Sequence, residues 1–135
     1  MANGLYNKGR EGFLSGAINM SSNDIRAILV DTADYTVNLA THDFLDDVPA
    51  ASRVAVSAAM ASKTVTDGIF DADDVTWSAV SGDPSEAIVI YQHTGTESTS
   101  RLIAYIDTAT GLPVIPNGGN ITVTWDSGTN KIFKL

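Results

Sequence analysis

The 135-residue chain contains no cysteine. That excludes a disulfide framework, a thiolate metal site and a cysteine nucleophile, and it fits assembly in a reducing cytoplasm. Glutamate is scarce, three residues against thirteen aspartates, and charged residues make up only 18% of the chain. With few long straight-chain helix formers and much Thr, Ser, Ala and Val, the composition favours strands joined by Asp-rich turns. Only His42 and His93 are available for acid–base work, and they fall in different turn regions. No Gly-x-Ser-x-Gly elbow, His-Glu-x-x-His pair or phosphate-binding loop occurs, so an enzyme is not expected. No stretch approaches the roughly 20 apolar residues of a membrane span. The first residues lack a basic segment followed by an apolar one, so no secretory signal is expected.

A net charge of −8 is placed unevenly. Asp31 to Asp83 holds ten acids against Arg53 and Lys63, while the flanks balance at six acids and six bases. An acidic middle argues against nucleic acid as a partner, because phosphate recognition needs clustered Lys and Arg. It reads most simply as a solvated face.

Alternation and turn residues predict about eight strands, at 24–31, 53–57, 62–66, 75–80, 87–93, 101–107, 120–125 and 131–135. The 24–31 segment is apolar on both faces and belongs in mid-sheet. Thr41 is expected to cap a helical turn that Pro49 ends. The fold class is therefore all-β: a single antiparallel sandwich domain over 24–135, jelly-roll-like, in which the last strand anchors the C-terminus. Residues 1–23 form either a short helix or an extended arm. Tyr6, Phe13, Leu14 and Ala17 fall near one face of the helix, and Gly9 and Gly12 weaken it.

Asp71, Asp73 and Asp74 are the densest carboxylate cluster and the weak candidates for a hard cation. The spacing does not match a calcium-binding helix–loop–helix, because Thr76 and Gly82 stand where Gly and Glu are needed, so a solvated turn is the expectation. Asp43, Asp46 and Asp47 beside His42 form a second cluster, which needs no role beyond a helix start. No cofactor is expected. Trp77, Trp125, Tyr91 and Tyr105 lie in strands and are read as core, with an exposed carbohydrate-binding platform as the alternative. Trp125, directly before a turn, is the one whose exposure decides.

Three segments carry a resemblance: Met1-Ala2-Asn3-Gly4-Leu5-Tyr6 with Lys8-Gly9-Arg10 and Phe13-Leu14; Leu29-Val30-Asp31-Thr32-Ala33-Asp34-Tyr35; and Tyr105-Ile106-Asp107-Thr108-Ala109-Thr110-Gly111-Leu112-Pro113, continuing to Trp125-Asp126. Along most of its length the chain resembles a family of small virion structural proteins of tailed bacteriophages. The resemblance implies a non-enzymatic protein assembled in the bacterial host cytoplasm and located in the virion. It points first to a capsid decoration or cement protein that binds the major capsid protein and bridges coat subunits, as a homo-oligomer such as a trimer. Tyr6, Lys8, Arg10, Phe13 and Leu14 are then the expected contact residues, on a segment whose removal (residues 2–16) leaves the sandwich folded. A tail, connector or fibre component, or a carbohydrate-binding jelly roll, are the alternatives.

Overall fold

The computed structural model describes residues 3–135. At its centre lie three strands that are apolar on both sides: β2 (Ile25–Val30), β7 (Ala87–Gln92) and β8 (Leu102–Ile106). β1 (Gly4–Leu5) and β3 (Arg53–Val56) complete a five-stranded sheet in the order β1-β8-β7-β2-β3, with every neighbouring pair antiparallel. Side chains alternate across this sheet. Ile25, Ala27 and Leu29 of β2 and Ile88 and Ile90 of β7 join one core cluster, while Ile28, Val30, Ala87, Val89 and Tyr91 join the other.

Each face has its own cover. On one side lie two small antiparallel sheets. One is made of β4 (Thr64–Thr66), β5 (Ile69–Asp71) and β10 (Phe133–Lys134), the other of β6 (Val75–Trp77) and β9 (Ile121–Val123). They contribute Phe70, Trp77, Ile121, Val123 and the nearby Trp125 to the first cluster. The opposite face is covered mainly by irregular chain that supplies Tyr6, Tyr35, Leu45 and Val48. The mid-sheet placement expected for residues 24–31 follows from this double cover, since both faces of β2 leave water.

The protein is thus mainly β, with antiparallel sheets and one short helix, as the composition implied. The details differ from expectation. Among the described residues ten short strands form, in place of about eight. Thr41 caps nothing; a 3-10 turn at Leu45–Asp47 starts from Phe44 without a side-chain cap, and a second, Ala50–Ser52, follows directly on Pro49. The N-terminal segment is a helix, α1 (Asn7–Ser15), preceded by β1, and both pack on β8. Residues 3–15 therefore belong to the same core as the segment that follows.

Candidate functional site

A nine-residue helix containing two glycines is too short to hold in water on its own. Tertiary docking holds α1, and the glycines make the docking close. A Cβ at Gly9 would sit 2.8 Å from the Leu102 carbonyl oxygen and 3.0 Å from Ile103 Cα. At this point β8 bulges: pairing passes from Ile90–Ala104 to Tyr91–Leu102 and skips Ile103, whose carbonyl accepts the Tyr6 N–H at 3.0 Å. Gly16, at φ 79°, ends the helix in the left-handed conformation.

Docking sorts the five expected contact residues. Tyr6 is a correction: it is fully buried, and its hydroxyl lies 2.8 Å from that of Tyr35, so it belongs to the core and cannot touch a partner. Lys8 pairs with Glu11 at 2.8 Å, one helical turn on, and this bond holds the Glu11 carboxyl below the ordinary carboxylate range. Arg10 is exposed. Phe13 is half-buried and leans on Phe133, with ring centroids 6.1 Å apart, and Phe133 in turn meets Phe70 at 5.4 Å. Leu14 is 91% exposed.

The Phe13–Phe133 contact places α1 beside the C-terminal strand β10, and a hollow lies on each side of it. One is an apolar groove of about 320 Å³ lined by Phe13, Ile18, Met20, Val65, Phe133 and Leu135 among others. Val65 and Leu135 are themselves 52% and 60% exposed. The other is a cavity of about 490 Å³ whose lining includes Arg10, Lys131 and Lys134, with Trp125 and Phe133. Residues from both ends of the sequence therefore share one surface.

The acidic candidates resolve differently. Asp71, Asp73 and Asp74 do not converge on an ion site. Asp73 accepts from Ser62 Oγ at 2.8 Å, and its carbonyl accepts the Trp125 indole N–H at 3.1 Å. Asp74 accepts the Trp125 backbone N–H at 3.0 Å. Two of the three thus tie β9's end to the β5–β6 connection. Among the described residues, the carboxylates that gather in threes within 4.8 Å of one another are Asp31, Asp34 and Asp83, and separately Asp43, Asp46 and Asp47. In the second group, Asp47 accepts the Asp43 backbone N–H at 2.8 Å. Desolvation first, and then the Asp47 carboxylate, push the Asp43 carboxyl above its ordinary value.

Trp125 is buried, as are Trp77, Tyr91 and Tyr105, so none of these four rings offers a platform to a sugar. A buried polar chain, missed in the sequence, runs from Tyr6 through Tyr35 to His42 Nδ1, at 2.8 and 2.9 Å. Nδ1 also receives the Asn38 N–H at 3.3 Å, which makes it an acceptor and orients the chain: Tyr6 donates to Tyr35, and Tyr35 to His42. Burial pushes the Tyr35 hydroxyl up to about 12 and the Tyr6 hydroxyl further in the same direction.

No protein-family model matches the chain, and no curated protein matches it either.

Proposed function

We propose that this is a non-enzymatic virion structural protein, first of all a capsid decoration or cement protein, that binds the outer shell through the seam between α1 and β10. The observation that carries the reading is the apolar groove lined by Phe13 of α1, the helix on which Leu14 is exposed. Phe13, Val65, Phe133 and Leu135 line it; of the five large apolar side chains exposed among the described residues, Val65 and Leu135 lie in this groove and Leu14 lies on α1, while Val56 and Ile115 lie outside it. Exposed apolar surface gathered in one place marks a protein contact. The resemblance of the sequence to phage virion proteins supplies the partner, the major capsid protein, and the expectation of a homo-oligomer. The small sheets stacked on the five-stranded sheet are read as a sandwich variant suited to that rigid role. Binding at many equivalent lattice positions would let a modest contact suffice.

The test is binding of the purified chain to capsids that lack it, located by cryo-electron microscopy, with Leu14→Glu as the matched variant. Density at regular positions between coat subunits, lost with Leu14→Glu while its circular dichroism stays native, supports the reading. Density on the tail or connector moves the protein to that part of the virion, and absence from every particle component refutes a virion role. Removing residues 2–16 is no clean test, because it takes Tyr6 out of the core.

A further inference from the structure

Five of the eight Lys and Arg side chains have a partner within the chain. Lys8 pairs with Glu11, Arg26 with Asp24 and Arg53 with Glu97. Lys63 donates to the Asn23 carbonyl, and the Arg101 guanidinium stacks over the Phe44 ring at 5.3 Å. The remaining three, Arg10, Lys131 and Lys134, all line the 490 Å³ cavity. None of them makes an ion pair among the described residues, and Arg10 reaches only the Asn7 side chain, at 3.4 Å. The one carboxylate in the lining, Asp126, accepts the Gly128 N–H of its own turn and offsets one of the three positive charges, which leaves the lining net cationic. Lys131 and Lys134 lie more than a hundred residues from Arg10, so the fold itself assembles the group. On a chain of net charge −8, it gathers Arg10, Lys131 and Lys134, three of the five cations that make no ion pair among the described residues, at one opening with Trp125 and Phe133 in its wall. Apolar walls strengthen the attraction such a group exerts on an anion.

The opposite imbalance exists elsewhere on the same chain. Asp34 and Asp83, both exposed, lie with Asp31 so that their carboxylates come within 4.8 Å of one another, and no cation pairs with them among the described residues. Like charges that close repel unless something cationic meets them. We infer that the Arg10–Lys131–Lys134 cavity receives the Asp34–Asp83 surface of a second copy of this chain. The contact is head-to-tail: each copy offers the cavity to one neighbour and the acidic surface to another, an arrangement that closes into a ring or runs on as a filament. Away from this contact two copies repel, which selects the register in which cations and carboxylates meet.

Self-association is the only element shared with the shell-binding reading, and the test uses the purified full chain alone, so either can fail without the other. Sedimentation velocity over a concentration series is run at low and at high salt. Wild type is expected to self-associate at low salt and to weaken about tenfold or more at high salt. Arg10→Gln/Lys134→Gln and Asp34→Asn/Asp83→Asn, all at exposed positions, are each expected to sediment as monomers. Mixed in equal amounts, they restore one intact contact and stop at a one-to-one dimer. A wild type that is monomeric throughout, an oligomer that neither pair of substitutions weakens, or a mixture that stays monomeric overturns the proposal.

Discussion

Replacing Gly9 with Ala sets two effects of known size against each other. Inside a helix, Ala is favoured over Gly by about 1 kcal/mol, so on helix propensity alone Gly9→Ala and Gly12→Ala should both stabilise α1. The structure separates them. At Gly9 the new methyl meets backbone, the Leu102 carbonyl at 2.8 Å and Ile103 Cα and O at 3.0 and 3.1 Å. β8 is held by its ladder to β7 and cannot yield, so α1 must lift. Overpacking of this kind costs about 1–3 kcal/mol, and lifting also stretches the bond from the Tyr6 N–H to Ile103, worth about 1 kcal/mol. After the propensity gain, Gly9→Ala should destabilise the protein by about 2 kcal/mol, which lowers Tm by roughly 8 °C in a domain of this size. At Gly12 the methyl meets the end of a side chain, Ile18 Cδ1 at 2.6 Å and Cγ1 at 2.8 Å, which can turn at a cost of about 1 kcal/mol. Gly12→Ala should therefore stay within about 0.5 kcal/mol of wild type. Urea and thermal denaturation followed by circular dichroism measure both. Equal stability of the two variants, or a gain at Gly9, would refute the close docking of α1 on the β8 bulge.

Other perturbations probe the interior. Tyr6→Phe removes the donor to Tyr35 at the buried end of the polar chain and should cost about 1–2 kcal/mol in urea denaturation; a neutral result would mean the hydroxyls are not bonded. Ser57→Ala should cost about 1–3 kcal/mol in urea denaturation, because Ser57 Oγ accepts the buried Ala27 N–H at 2.9 Å and the substitution removes that acceptor. Alkaline stability follows from Tyr35, whose folded-state value of about 12 lies above its unfolded value near 10. The folded protein then holds a proton that the unfolded chain releases, so stability is whole below pH ~10 and falls by about 2 kcal/mol by pH ~12. Tyr6, raised further, acts with the same sign. Denaturation midpoints that stay flat across that window would contradict the buried hydroxyl chain.

The centre of the fold was legible because its signal is local. β2, β7 and β8 are continuous apolar runs, and such runs fit only a sheet covered on both faces. β5 was missed although its signal was present: Asp67-Gly68 is a two-residue turn with both φ values positive, 54° and 77°, and it joins Thr64–Thr66 to Ile69–Asp71 as a tight hairpin. β1 carries no such signal. Two residues become a strand only because β8 lies beside them. The same contact decides Tyr6, which its neighbours in sequence cannot distinguish from a surface aromatic. Helix propensity alone makes Gly9 and Gly12 a weakness in a helix; in the structure they permit its docking, an effect that depends on residues about ninety positions away in the case of Gly9. The Asp71–Asp74 cluster shows the converse, since acids close in sequence go to different distant partners, the Asp74 carboxylate to the Trp125 N–H some fifty residues away and the Asp73 carboxylate to the Ser62 hydroxyl.

With both faces of the main sheet covered, outward contacts must use edges, loops or the α1–β10 seam, and the seam carries two kinds of chemistry side by side. Phe133 lines both hollows and separates them: apolar side chains lie toward Val65 and Leu135, and unpaired cations toward Lys131 and Lys134. Salt acts on the two in opposite directions. Screening weakens attraction between exposed charges, while excluded salts such as sulfate strengthen apolar burial. A contact made through the groove should therefore survive or tighten as such salt is added, and a contact made through the cavity should loosen. Because the two sites are adjacent but differ in what drives them, a partner on the shell and a second copy of the chain can occupy the same seam without one interaction standing in for the other.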